Sequence, residues 1–234
     1  MPKHVGIVAV SAEGAALCYR TVCGEGTALL GRHAHPEVTM HTYSLADYMR
    51  HIDAGKWDEV GGMLLSSAEK LRKAGADLLI CPDNTAHQAL DIVRDRSPLP
   101  WLHIAEEVAG VAAQRGYRRL LVLGTRYLME APVYPAKLRP RGIESEIPGT
   151  EARERINTLT LDELVYGRFE ESTRSYFKEV IRQAQGRRCD AVILGCTEFP
   201  LLIGDADSPL PTLDSTRILA RAALRAAVGP WPLR

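Results

Sequence analysis

Short apolar runs alternate along this chain with longer stretches of helical period, the pattern of βα units joined into a parallel sheet. The predicted strands cover residues 5–10, 38–43, 76–81, 101–104, 119–123, 143–147, 191–194 and 211–213. Between the second and third of these, residues 57–74 place Val60, Met63, Leu64, Ser67, Ala68 and Leu71 at offsets that share one helical face, which predicts a core helix. Segments 85–95, 105–115, 173–185 and 215–228 pass the same test. Glycine and proline gather at 139–149 and 204–211, which read as surface connections.

The two halves of the pattern echo each other. Gly6-Ile7-Val8 and Leu79-Ile80-Cys81 in the first are matched by Leu121-Val122-Leu123-Gly124-Thr125 and Ile193-Leu194-Gly195-Cys196 in the second. The expected fold is therefore α/β: two similar lobes, each a mainly parallel sheet flanked by helices, related by a pseudo-two-fold, with the active site in the cleft between them. Residues 1–105 and 211–234 form the predicted N-terminal lobe and 106–210 the C-terminal lobe, the helix after Asp214 crossing back to the first.

Composition removes several function classes. Lys plus Arg and Asp plus Glu number 29 each, so no charge excess favours nucleic acid or an anionic membrane. The longest apolar runs, 120–123 and 191–194, fall far short of the roughly 20 residues a membrane helix needs. Met1 leads straight into Val5-Gly6-Ile7-Val8 without a signal-like segment, and the five cysteines are odd in number and irregularly spaced, so a reducing, cytoplasmic setting is expected. His33-Ala34-His35 has no neighbouring carboxylate or cysteine to complete a metal set, and no metal is expected. Gly24-x-Gly26 followed by Gly31 does not match a dinucleotide fingerprint, and neither a Gly-Lys-Ser/Thr phosphate loop nor a Gly-x-Ser-x-Gly elbow occurs.

Chemistry concentrates at two strand ends. Strand 191–194 runs into Gly195-Cys196-Thr197-Glu198, which puts a cysteine at a turn where backbone N–H groups are unpaired and side chains can face a ligand. A cysteine here also suits simple packing, since cysteine is among the most buried residue types. The first-half counterpart, Cys81-Pro82-Asp83-Asn84-Thr85-Ala86-His87, sets short polar residues before a helix. Asp, Asn and Thr are helix-capping residues, and a helix N-terminus also suits a substrate carboxylate.

The combination of Asn84-Thr85-x-His87, Leu123-Gly124-Thr125-Arg126 and Leu194-Gly195-Cys196-Thr197-Glu198-Phe199-Pro200-Leu201 resembles the aspartate/glutamate racemase family, and the likeness extends through Gly55-Lys56-Trp57-Asp58 and Asp214-Ser215-Thr216. The resemblance implies a homodimer acting on an amino acid or small dicarboxylic acid by cofactor-independent racemisation, in which one group removes the α-proton and another returns it from the opposite face. It implies that Asn84, Thr85, Thr125 and Thr197 hold the substrate carboxylate, with Ser11 and Glu198 as further binding candidates, and that Cys196 is one base.

Three departures bear on the reaction. Relatives carry a second cysteine, or sometimes threonine, directly before the Asn-Thr pair, whereas this chain has Asp83. A free aspartate titrates near ~3.9 against ~8.5 for a thiol, so it is the weaker base by about 4–5 units. Cys81, two residues earlier, is a fallback. The opening turn Ala9-Val10-Ser11-Ala12-Glu13-Gly14 adds a carboxylate, and Glu170 stands where relatives place a lysine, leaving Arg50, His51 or Arg168 to meet an acidic side chain. The leading expectation pairs Asp83 with Cys196 in a racemase or epimerase. Two others stay open: a decarboxylase or isomerase in which Cys196 alone protonates an enolate, and a small-acid binding protein without a working base pair.

Overall fold

The structure, a computed structural model, describes residues 1–229. The elements run in the order β1 (Val5–Ala9), α1 (Ala12–Leu30), β2 (Val38–Thr42), α2 (Leu45–Asp53), α3 (Trp57–Lys73), β3 (Leu78–Ile80), α4 (His87–Val93), β4 (Trp101–Leu102) and α5 (Ile104–Gln114). They continue with β5 (Arg119–Leu123), α6 (Arg126–Met129), α7 (Val133–Leu138), β6 (Glu144–Glu146), α8 (Thr150–Asp162), α9 (Glu171–Gly186), β7 (Ala191–Leu194), α10 (Phe199–Leu202), β8 (Thr212–Asp214) and α11 (Ser215–Val228). The chain divides into two compact units, residues 1–107 with the helix from Thr216 onward, and residues 108–215.

Each unit is built on a four-stranded, all-parallel sheet, and the strand order is the same in both: β2-β1-β3-β4 in the first and β6-β5-β7-β8 in the second. The central strands β1, β3 and β7 are buried along their whole length, as expected where helices cover both faces of a parallel sheet. In the first unit Val5, Ile7, Leu78 and Ile80 pack with Ala15, Cys18 and Val22 of α1 and with Leu219, Ala220 and Ala223 of α11. In the second, Leu121, Leu123, Val192 and Leu194 pack with Ile156 of α8, Phe177 and Ile181 of α9, and Phe199 and Leu202 of α10.

A matching brace enters each sheet. Asp77, just before β3, accepts the His4 N–H at 2.7 Å on Oδ2, and its own N–H donates to the His4 carbonyl at 2.8 Å. Asp190, just before β7, accepts the N–H groups of Arg118 and Arg119 at 2.6 and 2.9 Å and donates to the Arg119 carbonyl at 2.8 Å. Two residues ahead of each aspartate the backbone turns left-handed, at Gly75 (φ 95°) and Arg188 (φ 64°). Glycine takes that conformation without a steric penalty, whereas Arg188 carries one of roughly 1–2 kcal/mol.

Strands 119–123 and 191–194 lie where the sequence pattern puts them, β8 is shifted by one residue to Thr212–Asp214, and the others are shorter at their ends. Residues 76 and 77 fall outside β3 because Asp77 turns its carboxylate onto His4, and Pro82, lacking an N–H, follows the strand's end. Helices α1, α2 and α8 fall where the apolar pattern predicts none. β8 pairs with β7 and completes the second sheet, so the return to the first unit comes after Ser215, against the expected boundary at residue 211.

Candidate active site

In this strand order the connections leave β1 and β3 toward opposite sides of the sheet, so the loops at their carboxyl ends diverge; ligands of parallel α/β sheets bind at such a switch point. The same holds for β5 and β7. In the first unit these two strands lead into Ser11 and into Asp83-Asn84-Thr85; in the second, into Thr125 and into Cys196-Thr197-Glu198. Asp83 lies six residues beyond Asp77 and Cys196 six residues beyond Asp190. The two residues therefore occupy the same place in the two repeats.

In the first unit the Asp83 side chain is half-buried and its Oδ1 accepts the Ala86 N–H at 2.9 Å, closing a turn that leads into α4. The capping reading of this segment is thus seen in the structure. Asn84 is buried and Thr85 half-buried. Ser11 is the N-cap of α1, its Oγ accepting the Gly14 N–H at 3.4 Å. Cys81 is fully buried, and burial first, then the neighbouring Asp83 charge, push its thiol well above the ordinary range. A thiol held neutral in this way is a poor second base. The buried phenol of Tyr48 on α2 is also pushed up, by burial first and next by Cys81, with Asp83 contributing.

In the second unit Cys196 is half-buried, while Thr197 and Glu198 are buried. The Cys196 thiol donates to Glu198 Oε2 at 2.9 Å, and the Thr197 hydroxyl donates to the same oxygen at 2.8 Å. Glu198 is thus a buried side chain whose Oε2 accepts from two donors, one of them the candidate acid. The turn is anchored on its far side by Phe199, whose ring packs edge-on against Phe177 at 4.9 Å and 76°. Thr125 is the N-cap of α6.

Gly195 sets how closely β5 and β7 approach at this point. Its N–H donates to the Leu123 carbonyl at 2.8 Å. A Cβ at this position would lie 2.7 Å from that same oxygen and 2.5 Å from Leu123's neighbour in space, Leu128 Cδ2. The carbonyl belongs to a buried strand and cannot step aside. Gly195→Ala is expected to destabilise the protein by about 1–3 kcal/mol, as overpacking does, and to shift Cys196; thermal denaturation alongside an activity assay checks both.

The two arginines read as candidate partners for an acidic substrate are engaged elsewhere. Arg50, exposed on the last turn of α2, pairs with Asp47 at 2.9 Å. Arg168, exposed just before α9, donates to the Asp162 carbonyl. Neither is at the carboxyl end of a sheet strand. Sequence reasoning assigned no role to Tyr48 or His103, and it gave His87 none beyond its place in the motif. Of these, His87 was marked by its fixed spacing from Asn84-Thr85; nothing in the sequence marks the other two.

Among the described residues no helix is long and apolar enough to cross a membrane, and no three His, Cys, Asp or Glu side chains group so as to hold a metal ion.

Residues 7–223 match the family model described as Asp/Glu/Hydantoin racemase. The chain is 30% identical to a Yersinia pestis protein crystallised as a candidate Asp/Glu racemase, covering 97% of this chain and 100% of that one, with a TM-score of 0.89. An aspartate racemase homologue from Pyrococcus horikoshii OT3 is 26% identical over 97% of this chain and 100% of its own, with a TM-score of 0.84. The broad specificity amino-acid racemase RacX of Bacillus subtilis is 25% identical over 71% of this chain and 72% of its own length. The chain spans 54–63% of the glutamate racemases it also matches.

Proposed function

The chain belongs to the Asp/Glu/hydantoin racemase family, and on that footing we propose that it is a cofactor-independent amino-acid racemase or epimerase in which Asp83 and Cys196 exchange the α-proton from opposite faces. The observation that carries this reading is the equal placement of the two residues, each six residues beyond the aspartate that braces its strand.

Racemisation by two groups needs one to start as base and the other as acid. Asp83 accepts a backbone N–H, an arrangement suited to a carboxylate, and Cys196 holds its proton toward Glu198. In one direction Asp83 removes the α-proton while Cys196 delivers a proton to the other face, and Glu198 steadies the thiol in between. In the other direction the pair starts from the opposite protonation state: the Cys196 thiolate takes the α-proton while a protonated Asp83 delivers its own proton to the other face. Asn84, Thr85, Thr125 and Thr197 supply the hydroxyl and amide groups that would hold the substrate carboxylate, and their hydrogen bonds would strengthen as charge moves onto it in the carbanion-like intermediate.

The substrate proposed is an amino acid without a required acidic side chain. Arg50 and Arg168 are both occupied within their own units, and Glu13 and Glu170 add exposed negative charge. The broad specificity in the name of RacX agrees with that choice. Chiral chromatography and α-proton exchange in deuterium oxide, run across neutral and acidic amino acids, test the reading. Exchange with a neutral amino acid is expected, and no exchange with any member of the panel in a folded enzyme defeats it.

One observation favours a second reading. Asp83 is committed to the Ala86 N–H, and a carboxylate is a weaker base than a thiolate. Cys196 would then act alone, protonating one face of an enolate left by decarboxylation or isomerisation of a small dicarboxylic acid. That reaction gives product of one hand and no back-exchange.

A further inference from the structure

Behind the turn that carries Asp83 lie two buried histidines for which the proton transfers have no use. His87 Nε2 is 3.0 Å from the Cys81 carbonyl oxygen. A carbonyl only accepts, so Nε2 carries the hydrogen. Burial, and then the neighbouring His103, hold the His87 imidazole well below its ordinary pKa, which leaves it neutral with a bare lone pair on Nδ1. His103 caps α5: its Nδ1 accepts the Ala105 N–H at 3.2 Å, and its carbonyl accepts those of Glu106 and Glu107 at 3.0 and 3.1 Å. Its hydrogen is therefore on Nε2, which lies 3.4 Å from Asp91 Oδ1.

The two rings meet edge to face, with centroids 4.3 Å apart. Among the described residues both His87 Nδ1 and His103 Nε2 are buried without a hydrogen-bond partner. One is a bare acceptor and the other a donor, so the tautomers fixed by the outer bonds leave complementary atoms on facing rings. Packing alone would be met by leucine or phenylalanine at no polar cost. What the imidazole adds is the bond to Cys81, immediately ahead of Pro82, which has no N–H with which to tie the turn. In the second unit the position ten residues beyond the brace is Pro200, and there the turn is tied by Glu198. The histidine prop is particular to the Asp83 half.

We propose that His87, oriented by His103, is the positioning residue for Asp83, fixing through the Cys81 carbonyl the direction in which that carboxylate meets the substrate; this rests on the reading of Asp83 as a proton-transferring group. A glutamine at 87 can present its amide N–H near the place of Nε2–H, whereas leucine fills the space without a donor. His87→Gln is expected to keep kcat within about threefold of wild type. His87→Leu is expected to lower kcat by about 10–100-fold with little change in KM, the cost of misplacing a reacting group by an ångström or less.

The decisive readout is directional. With α-deuterated substrate, His87→Leu should raise the isotope effect in the direction in which Asp83 takes the deuteron and not in the direction in which Cys196 takes it. An isotope effect raised equally in both directions, or wild-type kcat in His87→Leu, overturns the proposal. Nitrogen-15 NMR of histidine-labelled wild-type protein at pH 7 provides an arm independent of activity: both rings should be neutral and protonated on Nε2. A His87 ring protonated on Nδ1 overturns the proposal as well. A wild-type enzyme that exchanges no α-proton defeats the reading of Asp83 instead, and the NMR result then decides whether His87 holds the turn.

Discussion

Replacing Cys196 by alanine should lower turnover by about 10²–10⁴-fold, the range over which a positioned proton donor or acceptor contributes, while the protein stays folded. The side chain is half-buried, and its loss leaves Glu198 still bound by the Thr197 hydroxyl, so no buried carboxylate is stranded. The melting temperature should therefore move by less than about 2 °C. Chiral analysis of product and differential scanning fluorimetry, read together, check both halves of the expectation. The loss is required by the two-sided racemase and by the one-sided protonation alike. Turnover unchanged in Cys196→Ala sinks both; the binding protein is marked instead by a wild type without turnover whose melting temperature rises with ligand.

Asp83→Asn separates the two enzymatic readings. Asparagine caps a helix turn about as well as aspartate, so the bond to the Ala86 N–H can persist, but the amide neither accepts nor returns a proton in the working range. A racemase should lose about 10²-fold or more of its α-proton exchange, whereas an enzyme that relies on Cys196 alone should keep turnover within a few-fold. Exchange in deuterium oxide followed by proton NMR reads the difference directly. The complementary Asp83→Cys enzyme would restore a thiol at the equivalent position, at the expense of the capping bond and about 0.5–2 kcal/mol of stability.

The fold was legible where apolar runs are dense and end in a breaker. Leu120 to Leu123 before Gly124, and Ala191 to Leu194 before Gly195, mark β5 and β7 without ambiguity. α1 was not legible because its buried face is made of Gly14, Ala15, Cys18, Thr21, Val22 and Gly26, small residues that fit close to a sheet but carry little apolar periodicity. α8 buries only Ile156 and Thr160, too few to draw a stripe. At the site, the turn Gly195-Cys196-Thr197-Glu198 could be recognised, but the convergence of two donors on one Glu198 oxygen could not, since adjacent residues meet only through a particular bend of the turn. His103 lies far from His87 in sequence and is brought to it by the pairing of β3 with β4, a tertiary fact with no local signature.

The paired aspartates Asp77 and Asp190 bear on how such a chain can change over time. Each one sets the height of its strand by gripping the backbone of the neighbouring strand, and Asp83 or Cys196 follows at a fixed count along the chain. The identity of the side chain at the end of that count plays no part in setting it. One half can therefore carry a carboxylate where the other carries a thiol while its address in the fold stays put, and the other half need not answer with a change of its own. A protein built on two such independent addresses can explore new acid and base pairings one substitution at a time.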